Sequence, residues 1–153
     1  MTSPTTTAPK AMHSALDFDR DGARQLQWLA ESAHFALALG QLERAAAMFA
    51  GLQELVPYEP AGWLGMAEVA LARHDLAAAA AAIDDALRCE RCDAERMAWA
   101  FVLRARLAAA VGDAAAVAEA EETVLALQPD GALAARIHQQ RLAVAGPGTG
   151  AVG

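Results

Sequence analysis

Apolar residues recur three and four positions apart along most of the chain, and the segments that carry this spacing run about 14–18 residues between breakers. That periodicity predicts amphipathic helices. Strand signals are missing, because β-branched and aromatic residues nowhere alternate with polar ones over a useful length. The breakers are few and regular: Gly40, Pro57 and Pro60, Gly112, Pro129 and Gly131. Gly40 and Gly112 are 72 residues apart, as are Pro57 and Pro129, and each glycine precedes its proline by 17. His74-Asp75 falls between them, 34 residues after Gly40-Gln41 and 38 before Gly112-Asp113. Asp75 and Asp113 are predicted N-caps, since their carboxylates can accept from amides of the following first turn. The pattern is helix, short turn, helix, longer turn, about three times over, and a period in this range points to a helical repeat array.

A leading helix is expected over about 14–25, with Asp19 or Asp21 near its start. An amphipathic closing helix is expected over 132–144, with Leu133, Ile137 and the Leu142/Val144 side inward and Arg136, Gln139, Gln140 and Arg141 outward. The Thr/Pro-rich 1–12 and the Gly-rich 146–153 read as flexible ends around a domain at 13–145.

Three segments resemble the tetratricopeptide repeat, a 34-residue helix–turn–helix with small residues where its two helices cross. In 26–59 the resemblance rests on Leu29, Ser32-Ala33, Ala36, Gly40, Ala45, Phe49 and Pro57. In 60–93 it rests on Trp63, Met66-Ala67, Ala70, Ala79, Ile83 and Ala86. The third unit, about 98–131 after a four-residue insertion, keeps Phe101, Ala105, Ala108, Gly112 and Pro129, but Val117 and Glu121 replace the Ala and Phe. The resemblance implies an all-α fold: a right-handed superhelical array of about three hairpins between a leading and a closing helix. The first helix of each unit would then line a concave groove, through Gln27, Ala30, His34 and Leu37, then Ala61, Leu64, Glu68 and Leu71, then Trp99, Val102, Arg106 and Ala109. Such a trough, mostly aliphatic with isolated His, Glu and Arg, suits a peptide with hydrophobic anchors.

Composition narrows the function. The 153 residues include 42 alanines, which favour helices that approach closely, and the formal charge of −7 argues against a binder of phosphate backbones. No apolar run reaches the roughly 20 residues a bilayer span needs, and the start has no apolar segment of a secretory signal, so a cytoplasmic protein is expected. A small acidic chain with a leading helix and about three repeats resembles the tetratricopeptide chaperones of type III secretion systems. The impression is carried by Leu37 to Met66, with Gly40 to Ala45 and Pro60 to Gly65. That resemblance implies a hydrophobic secreted partner, a translocator or needle component, held in the groove. The alternative is a general scaffold or adaptor for a folded partner. Self-pairing through the Ala-rich faces Ala77 to Ala82 and Ala114 to Ala116 is a further expectation.

Catalytic fingerprints are missing: no Gly-x-Ser-x-Gly, phosphate-loop or dinucleotide motif occurs, and His13, His34, His74 and His138 form no i,i+4 pair. No enzymatic activity and no cofactor or metal is expected. Cys89-x-x-Cys92 follows a helix with no strand before it, unlike redox motifs of that spacing. A structural zinc site would need two more ligands, and only His74 and acidic side chains are near in sequence. The pair reads as incidental thiols in a loop insertion.

Overall fold

The structure, a computed structural model, describes the backbone of residues 10–145 and the side chains of 20–143. Among the described residues seven helices follow one another: α1 (Lys10–Ala38), α2 (Leu42–Leu55), α3 (Ala61–Ala72), α4 (Leu76–Arg88), α5 (Ala94–Ala110), α6 (Ala114–Leu127) and α7 (Ala132–Ala145). No strand occurs among the described residues. The chain is all-α.

Three of the turns are built alike. The connections 39–41, 73–75 and 111–113 each hold three residues. Each closes its first helix with a left-handed residue, Gly40 at φ 72°, His74 at φ 57° and Gly112 at φ 76°. After each, an amide reaches back over a full turn: Gln41 N to Ala36 O at 2.9 Å, Asp75 N to Ala70 O at 2.9 Å, and Asp113 N to Ala108 O at 3.0 Å. This closure uses carbonyls that the helix end leaves unbonded. Asp75 and Asp113 then cap the next helices, accepting from Ala78 N and Ala116 N at 3.0 Å. Connections this short fold each pair back on itself, giving hairpins α1–α2, α3–α4 and α5–α6. Consecutive helices touch, and so do α1 with α3 and α3 with α5.

Each hairpin shares a core with the helix that follows it. Ala33, Ala36, Ala45, Phe49, Leu52, Val56 and Val69 bury together across α1, α2 and α3. Leu64, Ala67, Ala82, Ile83, Ala86, Ala100 and Leu103 do so across α3, α4 and α5. The last core is smaller, with Ala98, Val124 and Ile137 from α5, α6 and α7. No buried polar or charged residue occurs among the described ones. Small residues also set the spacing between hairpins: a Cβ on Gly65 would stand 2.1 Å from the Phe49 ring, and one on Gly62 would stand 2.8 Å from Gln53 N.

Several expectations change. The leading helix and the first repeat helix are one continuous α1, with Asp21 inside it, because Gly22 lowers helix propensity without breaking the hydrogen-bond ladder. Lys10 to Met12, expected in a flexible end, are helical; residues 1–9 and 146–153 lie outside the described residues. The four-residue insertion is not in a loop. The loops 56–60 and 89–93 are equally long, and the extra length is a turn of α5, which has 17 residues against 12 in α3. Asp93 starts that turn by accepting from Arg96 N at 2.9 Å. In α7, Leu142 faces outward at 74% exposure, and Arg141 instead turns to α6, where Nη2 is 3.0 Å from Glu121 Oε2 and Nη1 is 2.8 Å from Glu122 Oε1. The carboxylates hold the Arg141 guanidinium above its ordinary pKa, Glu122 more than Glu121.

Candidate functional site

Along α1, α3 and α5 the hairpin closures repeat in register, so residues at equal distances before Gly40, His74 and Gly112 fall at matching heights. Six residues before each stand His34, Glu68 and Arg106. A cleft of about 530 Å³ opens across these helices and the start of α7, walled by His34, Ala61, Leu64, Trp99, Ala132 and Leu133, with Glu95, Arg96 and Gln128 at its edge. A polar line crosses it. Trp99 Nε1 donates to Glu68 Oε1 at 3.1 Å, and His34 Nδ1 lies 4.0 Å from the same oxygen. His34 also stands edge-on to Phe49, with ring centres 5.0 Å apart, which ties the line to the first core.

A second, smaller cleft of about 280 Å³ lies between α5, α6 and α7, and includes Val102, Arg106, Val117, Glu121 and Leu133. Leu133 borders both clefts. The twelve expected groove residues therefore divide, with Ala61 on the larger cleft, Ala109 on the smaller and Ala30 against the first core. His34, Leu64 and Trp99 line the larger cleft, and Glu68 touches Trp99 beside it. Val102 and Arg106 line the smaller one. Leu37 and Leu71 pack half-buried against the first and second cores. Gln27 lines neither of the two clefts; it is exposed and donates to Glu31 Oε1 at 2.9 Å. Leu64 has only 5% of its surface exposed, so it is a core residue that shows an edge to the cleft. No protein-family model matches the chain, and no curated protein matches it.

At one end of the larger cleft the two inter-hairpin loops stack on each other. Arg91 N donates to Tyr58 O at 3.2 Å, and its guanidinium lies 4.7 Å above the Tyr58 ring and 3.3 Å from Glu59 Oε1. Arg96 Nη2 is 4.0 Å from the other Glu59 oxygen and also pairs with Asp93. The Arg96 backbone N–H holds the Asp93 carboxyl below its usual range, its guanidinium adding to this. Cys89 and Cys92 lie in the same loop as free thiols. Burial first, then neighbouring negative charge, pushes both pKa values up. The Cys89 thiol lies 3.5 Å from Asp85 O and 3.8 Å from Pro57 O, so it is occupied by backbone carbonyls. A raised pKa keeps both sulfurs in the weakly nucleophilic thiol form. Among the described residues, no three His, Cys, Asp or Glu side chains gather as metal ligands would.

What the cleft offers a ligand is apolar wall from Leu64, Trp99 and Leu133, with the His34 imidazole in the wall and the Glu68 carboxylate beside it. Sequence reasoning turned Leu133 inward but missed the share that it and Ala132 take in the cleft, because groove residues were expected only on the first helix of each hairpin. It also missed Trp28, Phe35 and Leu39, which stand exposed on α1 away from the cleft. The signal for these was present: Ala33 and Ala36 mark the inward face of α1, and Trp28 and Phe35 stand about 80–160° around the helix from them.

Proposed function

We propose that this chain is a non-enzymatic, tetratricopeptide-like protein-binding module that holds a polypeptide segment with hydrophobic anchors in the cleft across α1, α3, α5 and α7. In its most specific form the reading is a cytoplasmic chaperone for a hydrophobic type III secretion substrate, a translocator or needle component. The observation that carries it is the open apolar cleft crossed by the Trp99–Glu68–His34 line. An indole and aliphatic walls favour a buried apolar anchor, while rim polar groups fix its orientation. The repeated hairpin closures support the repeat reading.

The test is co-expression of the full chain with hydrophobic proteins encoded beside it. The expected result is a client that precipitates alone, stays soluble in complex, and is released by Trp99→Ala or by Ala132→Glu. Ala132 is exposed, so its substitution reads binding rather than folding. Leu64 is unsuitable for this purpose, since truncating it would damage the second core. A partner that is soluble and folded by itself would favour an adaptor for folded proteins. Full binding by both variants would remove the cleft from the mechanism.

A further inference from the structure

We propose that the smaller cleft between α5, α6 and α7 is a second subsite, which takes an acidic side chain, Asp or Glu, of the same polypeptide segment whose apolar anchor fills the larger cleft. The proposal rests on the protein-binding reading above and adds the charge of the segment to it.

The smaller cleft holds two arginines from different helices. Arg106 stands one turn past Val102 on α5, and Arg136 stands one turn past Leu133 on α7. The buried Val124 of α6 supplies apolar wall between those two helices. Both arginines are exposed. Among the described residues neither has a carboxylate within ion-pair distance, whereas six other arginines each have one. The carboxylate that lines the cleft, Glu121, is already held by Arg141, whose Nε and Nη2 donate to its Oε2 at 3.1 and 3.0 Å. Two positive charges thus share one partly enclosed apolar site without a counter-charge, in a chain whose formal charge is −7. An anion relieves their repulsion, and a carboxylate has two oxygens to offer two guanidiniums.

The larger cleft has the opposite character. Glu95 lines it and Glu68 stands beside it, while its arginine, Arg96, is engaged by Asp93 and Glu59. An acidic residue is therefore disfavoured there and favoured at Arg106 and Arg136. The two clefts meet at Leu133, so one segment can enter both. Trp99 and Arg106 are seven residues apart on α5, which puts them on one side of the helix and about 10 Å apart along its axis. An extended chain covers that distance in about three residues, so the acidic residue is expected about three positions from the apolar anchor.

The test is selection on the immobilised full chain of random peptides displayed inside a carrier protein, where neither terminus is free. The peptides recovered are expected to carry a large apolar residue with Asp or Glu about three positions away. Glu→Gln in such a peptide is expected to weaken binding about tenfold, and by less at high salt. Arg106→Gln and Arg136→Gln should each weaken binding of the Glu peptide about threefold and leave that of the Gln peptide unchanged, which a loss of folding would not do. Arg106→Glu combined with Arg136→Glu is expected to select Lys or Arg in place of the acid. Circular dichroism checks that these exposed positions leave the helices intact. Apolar peptides that are released by Trp99→Ala but show no preference for charge would overturn the proposal and leave the protein-binding reading standing. An acidic preference that survives the double variant would also overturn it. So would peptides recovered only from a second library with free C-termini and lacking an internal acid, which would assign the arginines to a terminal carboxylate. A chain that selects no peptide from either library would remove the protein-binding reading and this proposal with it.

Discussion

The first two hairpins and the third place different chemistry at one repeated position. Nine residues after Gly40, His74 and Gly112 stand Phe49, Ile83 and Glu121. Phe49 and Ile83 are fully buried plugs, each covered by the first helix of the next hairpin, whereas Glu121 is half-exposed and faces Arg141. The difference follows from what comes next in the chain. After α2 and α4 comes a helix that belongs to a further hairpin; after α6 comes α7, which has no hairpin partner among the described residues, and the core there is Ala98, Val124 and Ile137. Burial in α6 moves to Ala120 and Val124, leaving the plug position for an ion pair. At this position the third hairpin replaces an oily contact with a polar one.

Removing the plug gives the largest expected effect. Phe49→Ala should cost about 3–5 kcal/mol by chemical denaturation, from lost transfer energy plus the cavity left against Gly65. Glu121→Ala, at the same repeat position, should cost about 0.5 kcal/mol, as surface substitutions do. Equal losses at the two sites would end the comparison. Next in size is Gly65→Ala, which pushes a methyl into the Phe49 ring and should destabilise by about 1–3 kcal/mol. The thinner last core also predicts an exchange gradient: amides of α6 and α7 should exchange with solvent deuterium faster than those of α2 and α3, since local opening tracks buried apolar contact.

How much of this was legible in the sequence depends on the range of the physics. The turns at Gly40 and Gly112 and the caps at Asp75 and Asp113 were readable because they are settled within six residues. Ala45, Phe49, Ala79, Ile83 and Ala86 were readable as crossing points because only small or plugging residues recur there. The four extra residues were visible only as a sum; proline spacing cannot say whether a loop or a helix absorbs them, and Asp93 decides for the helix. The groove was half legible. Helical spacing put Leu37 and Leu71 beside His34 and Glu68, but in an alanine-rich chain the helices draw close enough to tuck such leucines against the core. The apolar face of α1 around Trp28 was passed over because a helix with two apolar sides does not announce which one its own chain covers.

The middle hairpin differs from its neighbours at the closure. Where the first and third turns use glycine, the second holds His74 at φ 57°, a conformation that costs an L-residue about 1–2 kcal/mol. His74→Gly should raise stability by about 0.5–1 kcal/mol, the relief being reduced by glycine's greater freedom in the unfolded chain. The side chain is exposed, so little packing is lost with it. A destabilised variant would show that the imidazole contributes something the turn geometry does not reveal.

A further effect bears on the extra turn that separates the third hairpin from the second. Asp93 caps α5, while the corresponding start of α3, at Pro60, has no side-chain cap. Asp93→Ala should cost about 1 kcal/mol, the usual value of an N-cap. The pH dependence has a definite sign. The folded-state pKa of Asp93 is depressed, chiefly by the Arg96 N–H, so its carboxylate stabilises the fold above the unfolded-state pKa. That contribution is lost as pH falls through the folded value. Unfolding curves for wild type and Asp93→Asn should therefore converge on the acid side, because asparagine keeps the cap hydrogen bond but has no charge to lose. If the gap between them stayed constant down to low pH, the depressed pKa would have no part in holding the added turn of α5.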